Sequence, residues 1–232
     1  MKRYTHLFFD LDHTLWDFDT NSKHTLRELY HKLELQQKGV HDFDLFHSIY
    51  IAHNEKLWER YRNGSIKVEE LRLKRMCQTL LDFKIGDEYL AEKMSTEFLD
   101  LLPTRTQVFP HTFEILDYLT DKGYQLHLIT NGFEKTQNRK LQYSGLKKYF
   151  IEVITSEGSN SLKPQKEIFE YAMNKVSCCA EECIMIGDSL EVDIQGAMNA
   201  GMDQVFVNHL CVECNLKPTY TIYSLKELER IF

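Results

Sequence analysis

Apolar and polar positions along this chain fall into two rhythms. Four short apolar runs, THLFF before Asp10, YQLHLI before Thr130, YFIEVI before Thr155 and CIMI before Gly187 and Asp188, have the length of strands and are rich in Ile, Leu, Val and Phe. Most precede a segment of helical periodicity: HTFEILDYLTDKG stops at Gly123, PQKEIFEYAMNKV begins at Pro164 as its first helical residue, and EVDIQGAMNAG stops at Gly201. A further strand, DQVFVN, and a closing helix, LKELERIF, complete the series. Such alternation predicts an α/β fold, a doubly wound parallel sheet covered by helices on both faces.

The second rhythm runs from about residue 20 to about residue 102, where helical patterns are long and no strand is convincing. In DFDLFHSIYIAHNEKLWERYRNG, Phe46, Ile49, Tyr50, His53, Leu57 and Tyr61 recur at helical spacing and Gly64 ends the run. SIKVEELRLKRMCQTLLDF and DEYLAEKMSTEFLDLL continue in the same manner. The expected organisation is therefore an all-helical domain, residues 18–103, inserted after the first strand of an α/β core made of residues 1–17 and 104–232. Neither an internal repeat nor a low-complexity segment interrupts it.

Composition narrows the classes of partner. With 232 residues, 43% of them hydrophobic and 27% charged, the chain has the makeup of a globular protein with a substantial core. A net charge of −7 argues against coating a nucleic-acid polymer, which takes clustered Lys and Arg. No apolar stretch approaches the roughly 20 residues that span a bilayer, and the short run after Lys2 and Arg3 is broken by Asp10. Six cysteines without regular spacing read as reduced thiols, and the expected location is cytoplasmic. Cys211 and Cys214 have the spacing of half a zinc site, but no second ligand pair follows and structural zinc takes four ligands, so zinc is not expected there.

Candidate chemistry appears when the residues that close each apolar run are compared. In open α/β sheets ligands sit outside the carboxyl ends of the strands. There stand Asp10 and Asp12, then Thr130, Asn131 and Gly132, then Lys163, then Asp188. Each alone is an ordinary cap or turn residue. Together they place carboxylates, a hydroxyl and a lysine at equivalent ends of successive strands. Gathered carboxylates call for a hard cation, and Mg²⁺ is the common choice where phosphate binds. Such a cation would hold Asp10 ionised and shield an incoming phosphate dianion from it. Thr130 and Lys163 offer a hydrogen bond and a point charge to phosphoryl oxygens, and a helix opened by Pro164 would add positive potential.

DLDHTL, ITNG, the lysine before Pro164 and GDSLEVD, in that order, resemble the four motifs of the haloacid dehalogenase superfamily. The resemblance spans the core and implies a phosphoryl-aspartate mechanism. In that mechanism Asp10 is the nucleophile and Asp12 the general acid and base. Thr130 and Lys163 hold the phosphoryl group, Asp10, Asp12 and Asp188 hold Mg²⁺, and Asp193 supports them from behind. The namesake dehalogenases lack an acid two residues after the nucleophile, so Asp12 disfavours carbon–halogen chemistry. A signalling receiver domain would be compact, with no acid at the position of Asp12 and no helical insert. A phosphomutase shares every core motif and differs in retaining the phosphoryl group for transfer.

The helical insert resembles the small cap of the superfamily's first subclass, which closes over small soluble substrates. Phe18 and Asp19, HNEKLWERYRNGSI, ITNGFEKTQNRKLQYSGLKKYF and LKELERIF are similar to stretches of bacterial pyrimidine 5′-nucleotidases. That likeness implies a nucleoside monophosphate substrate, with Trp16, Phe18, Trp58 and Tyr61 as aromatic surfaces for the base and Asn54 as a reader of its polar edge. Phosphoglycolate and sugar phosphates are the alternative substrates. The plain alternative for Leu57, Trp58 and Tyr61 is packing within the cap.

Overall fold

The structure, a computed structural model, describes residues 4–232. Its first compact unit comprises the described residues up to Phe18 together with Thr106–Phe232. Six strands form one parallel sheet: β1 (His6–Phe9), β2 (Gln125–Thr130), β3 (Glu152–Thr155), β4 (Cys183–Gly187), β5 (Asp203–Val207) and β6 (Tyr220–Ile222), in the order β3-β2-β1-β4-β5-β6. Leu7, Phe8 and Phe9 are completely buried, as a central strand covered on both faces requires. The chain winds outward from β1 through β2 to β3, then returns to the other side of β1 for β4. This reversal puts the ends of β1 and β4 side by side at the position where doubly wound sheets bind ligands. Phe9 lies opposite Ile186 and the Asp10 N–H donates to the Ile186 carbonyl at 2.9 Å, so Asp10 leaves the sheet level with Gly187.

The sheet meets the expectation of a doubly wound α/β core, with differences at the helices. The helix expected to start at Pro164 starts at Lys166; the Lys163–Pro164 peptide is cis, and the Gln165 N–H closes a turn onto the Leu162 carbonyl at 2.8 Å. EVDIQGAMNAG forms a π-helical turn over Leu190–Gln195 before a short α-helical turn, Gly196–Asn199. The closing segment Leu225–Arg230 is a 3₁₀ helix whose Ser224 and Glu227 form a capping box. β6, only three residues long, gave no apolar run to find.

The second unit, Asp19–Arg105, is helical. It contains α1 (Phe18–Lys32), whose first residue belongs to the other unit, α2 (Phe43–Arg62), α3 (Val68–Asp82) and α4 (Glu88–Leu101). Asp42 caps α2 by accepting from the Asp44 and Leu45 N–H groups, and Asp87 caps α4 through Leu90. Leu29, Phe46, Tyr50, Leu57, Leu71, Met76, Met94 and Phe98 fill its interior. Arg75 is buried with them, 4.9 Å from the Phe98 ring centroid.

Candidate active site

The loop after β1 is shaped from within. Leu11, Leu15 and Trp16 are fully buried, the Leu15 and Trp16 N–H groups return to the Leu11 carbonyl, and His13 takes a left-handed conformation at φ 64°. The anchored turn places Asp10 and Asp12 at its mouth and directs the Thr14 hydroxyl to Asp188 Oδ1 at 2.7 Å. Thr14, buried and unassigned by the sequence reading, thus orients a carboxylate of the neighbouring strand.

Asp10, Asp188 and Asp193 converge, with one oxygen of each within 4.8 Å of the others. Lys163 Nζ enters this group, 2.5 Å from Asp10 Oδ1 and 2.7 Å from Asp193 Oδ1. Burial raises Asp10 well above the usual carboxylate range and its acidic neighbours add to this, against the pull of Lys163. Burial and Asp193 together push Asp188 up to about 6. For Lys163, burial opposes the charge, but Asp10 and Asp193 more than offset it and hold the ammonium protonated. Asp193 reaches the group because Gly187 leaves space: a Cβ there would lie 2.4 Å from Asp193 Oδ2. The Ser189 N–H fixes the same carboxylate at 3.1 Å, and the π turn wraps around this inward-facing side chain.

Asp12 lies apart from that trio. Its carboxylate accepts from Lys140 Nζ at 2.6 Å and from Gln137 Nε2 at 2.9 Å, so the carboxylate set expected around a metal, Asp10, Asp12 and Asp188, gathers with Asp193 in place of Asp12. Gln137 and Lys140 stand on α5 (Glu134–Tyr143) and were not singled out from the sequence. Gln137 also donates to Thr130 Oγ1 at 2.7 Å, and the Gly132 N–H to the same oxygen at 3.1 Å. Both lone pairs of the Thr130 hydroxyl are thereby engaged, and its proton is what it has to offer an incoming oxygen.

Other expected contacts resolve differently. The Asn131 side chain brackets Lys163, accepting from its N–H at 2.8 Å and donating to its carbonyl at 2.9 Å, which makes it a support for the lysine. Gly132 turns its N–H toward Thr130. Trp16 is completely buried beneath Lys140, whose Nζ lies 4.4 Å from the ring centroid, and is closed to a base. In the helical unit, Asn54 is buried and its Oδ1 accepts from Arg75 at 3.3 Å, so burial and pairing give it an interior role. Trp58 is half-buried and packs edge-on to Tyr61 at 5.7 Å.

A doubly wound sheet with acids at the ends of its two central strands and a buried lysine between them defines an enzyme core of hydrolase type. The haloacid dehalogenase-like hydrolase family matches residues 7–207, and the chain belongs to that family. It is 33% identical to the pyrimidine 5′-nucleotidase PynA of Streptococcus pneumoniae over 97% of this chain and 93% of that protein. It is 28% identical to the pyrimidine 5′-nucleotidase YjjG of Escherichia coli over 97% of this chain and 96% of that protein. The crystal structure of the HAD hydrolase YfnB from Bacillus subtilis, bound to magnesium, superimposes with a TM-score of 0.90 at 28% identity, covering 99% of both chains. Among the described residues no helix is long and apolar enough to cross a membrane.

Proposed function

We propose that the chain hydrolyses phosphomonoesters through an aspartyl-phosphate on Asp10, and that its substrates are pyrimidine nucleoside 5′-monophosphates. One observation carries the chemistry: Asp10 is held by an ammonium at 2.5 Å within a group of three carboxylates, at the mouth of a loop that also presents Asp12. An Asp10 oxygen attacks phosphorus and the bond to the leaving oxygen breaks, that oxygen taking a proton from the Asp12 carboxyl. Water then attacks the phosphoaspartate and gives a proton to Asp12, releasing inorganic phosphate and restoring Asp10. Thr130 donates to a phosphoryl oxygen and Lys163 balances its charge.

The donor set fits a hard divalent cation, because the converging ligands are all carboxylate oxygens and burial leaves their charge poorly compensated. Asp10 and Asp188 would hold Mg²⁺ with Asp193 behind them, and the ion would supply charge compensation for the phosphate. Substrate class rests on the two nucleotidase relatives, and Trp58 is the proposed surface for the base.

The test is a comparison of kcat/KM for uridine and thymidine 5′-monophosphates, phosphoglycolate and a hexose phosphate, with and without Mg²⁺. Preference for the nucleotides, dependent on the cation, is expected. A higher value for phosphoglycolate or the sugar phosphate overturns the nucleotidase reading. Absence of hydrolysis of every ester overturns the phosphatase reading itself.

A further inference from the structure

The reaction above uses neither Gln137 nor Lys140, yet both are polar, almost completely buried and aimed at it. Lys140 is 3% exposed and Gln137 0%. Three residues apart on α5, they share one face of the helix, and each takes one oxygen of the same carboxylate: Lys140 holds Asp12 Oδ1 and Gln137 holds Asp12 Oδ2. A carboxylate held at both oxygens has a fixed plane as well as a fixed position.

The holders are themselves held. Lys140 Nζ lies 4.4 Å from the Trp16 ring centroid and 5.5 Å from that of Phe18, so its ammonium rests on two aromatic faces as it meets Asp12. Gln137 occupies the space in front of Gly132, where a Cβ would come within 2.3 Å of its Nε2. Through its second bond, to Thr130 Oγ1, the same amide ties Asp12 to a residue that anchors the phosphoryl group. A side chain serving packing alone has no reason to join these two.

We propose that Gln137 and Lys140 are positioning residues that aim the Asp12 carboxyl at the leaving-group oxygen. The inference rests on the phosphatase reading and adds a second layer to the site that the four motifs do not contain. It makes a distinction that a folding role does not: the loss on mutation depends on how much the leaving oxygen needs a proton.

The experiment compares wild type, Lys140→Met and Gln137→Met on an alkyl phosphate and on 2,4-dinitrophenyl phosphate, with melting temperatures measured alongside. Methionine keeps most of the side-chain volume and removes the donors. For the alkyl ester, kcat/KM, which reports only the steps through formation of the phosphoaspartate and not its hydrolysis, is expected to fall by roughly 10²-fold, within the range of general acid assistance. For dinitrophenyl phosphate, whose leaving group departs unprotonated, the fall is expected to stay below about 10-fold. Lys140→Arg, which retains the charge, is expected to recover part of the alkyl-ester rate. An equal loss on both esters, or none on either, overturns the inference while leaving wild-type hydrolysis as the separate check on the phosphatase reading. Should Lys140→Met fail to fold, the ester split in Gln137→Met and Lys140→Arg decides by the same criterion.

Discussion

Asp10 and Asp12 stand two residues apart in one loop, and their surroundings differ in electrostatic balance. Around Asp10, three carboxylates face one ammonium, all buried or nearly so. Around Asp12, one carboxylate meets one ammonium and an uncharged amide. The first group carries an excess of negative charge that a divalent cation would cancel, while in the second the Asp12 carboxylate already has an ammonium against it. In the proposed reaction this difference gives the neighbouring aspartates unlike tasks, one facing a cation and a phosphate, the other keeping a fixed orientation. Both groups depend on a glycine that makes room for the side chain behind the acid, Gly187 for Asp193 and Gly132 for Gln137.

The largest expected effect comes from the first group. Asp10→Asn should lower kcat by at least ~10³-fold for every ester, because an amide does not replace the nucleophile. Steady-state assay of the purified variant checks this, and measurable turnover near the wild-type rate would remove Asp10 from its role.

Next in size is the pair of glycines. Gly187→Ala should displace Asp193 from Lys163 and reduce turnover of good and poor leaving groups alike, by about 10²-fold for a displacement near 1 Å. Gly132→Ala should displace Gln137 and lower kcat/KM chiefly for the esters with poor leaving groups. If the two variants gave the same leaving-group dependence, the division between the clusters would fail.

Much of the first group was legible in the sequence and little of the second. Asp10, Thr130, Lys163 and Asp188 follow the ends of apolar runs, and strand ends are where the topology converges. Gln137 and Lys140 lie on a polar helix and carry no such marker. A signal existed nevertheless: the buried stripe of this segment is Phe133, Gln137, Lys140, Leu141 and Ser144, and an amide and an ammonium among the apolar residues of an inward face call for a partner. The bracket that the Asn131 side chain forms around Lys163 was not legible, because the chain's bend at Lys163 is not visible in its residue order. The parallel sheet was readable because its central strands are apolar on both faces; the π turn was not, since it follows from Asp193 turning inward to a lysine far along the chain.

An acid stability scan of either cluster must first be separated from a histidine pair. His6 Nδ1 lies 3.1 Å from His127 Nε2, within the sheet, and burial, with His6 adding to it, lowers His127 to about 4. The unfolded chain takes up this proton near pH 6.5, before the folded one does. The stability contribution is therefore complete above that pH and lost as pH falls to about 4, a loss of roughly 3 kcal/mol. Denaturant titrations at pH 7 and pH 4.5 should show the slope in wild type and a smaller one in His127→Gln. An equal slope in both would place the acid sensitivity elsewhere.

A smaller effect separates the clusters by stability. Without divalent cations, Asp188→Asn should stabilise the fold by about 1–3 kcal/mol, since it removes one of three crowded charges, whereas Lys140→Met should destabilise it by leaving Asp12 unpaired. Mg²⁺ should raise the melting temperature of wild type and of Lys140→Met but not of Asp188→Asn. A shift retained in Asp188→Asn would move the cation away from the trio.

Lys163 is fixed at both of its ends, its peptide bracketed by Asn131 and its ammonium seated between Asp10 and Asp193. A free lysine side chain holds about 2 kcal/mol of rotamer entropy, which a flexible surface lysine would lose at each encounter with an anion. Here that disorder has been surrendered once, when the chain folded. In the proposed reaction an arriving phosphate meets a charge with nothing left to order, and more of the attraction between them remains available to hold it.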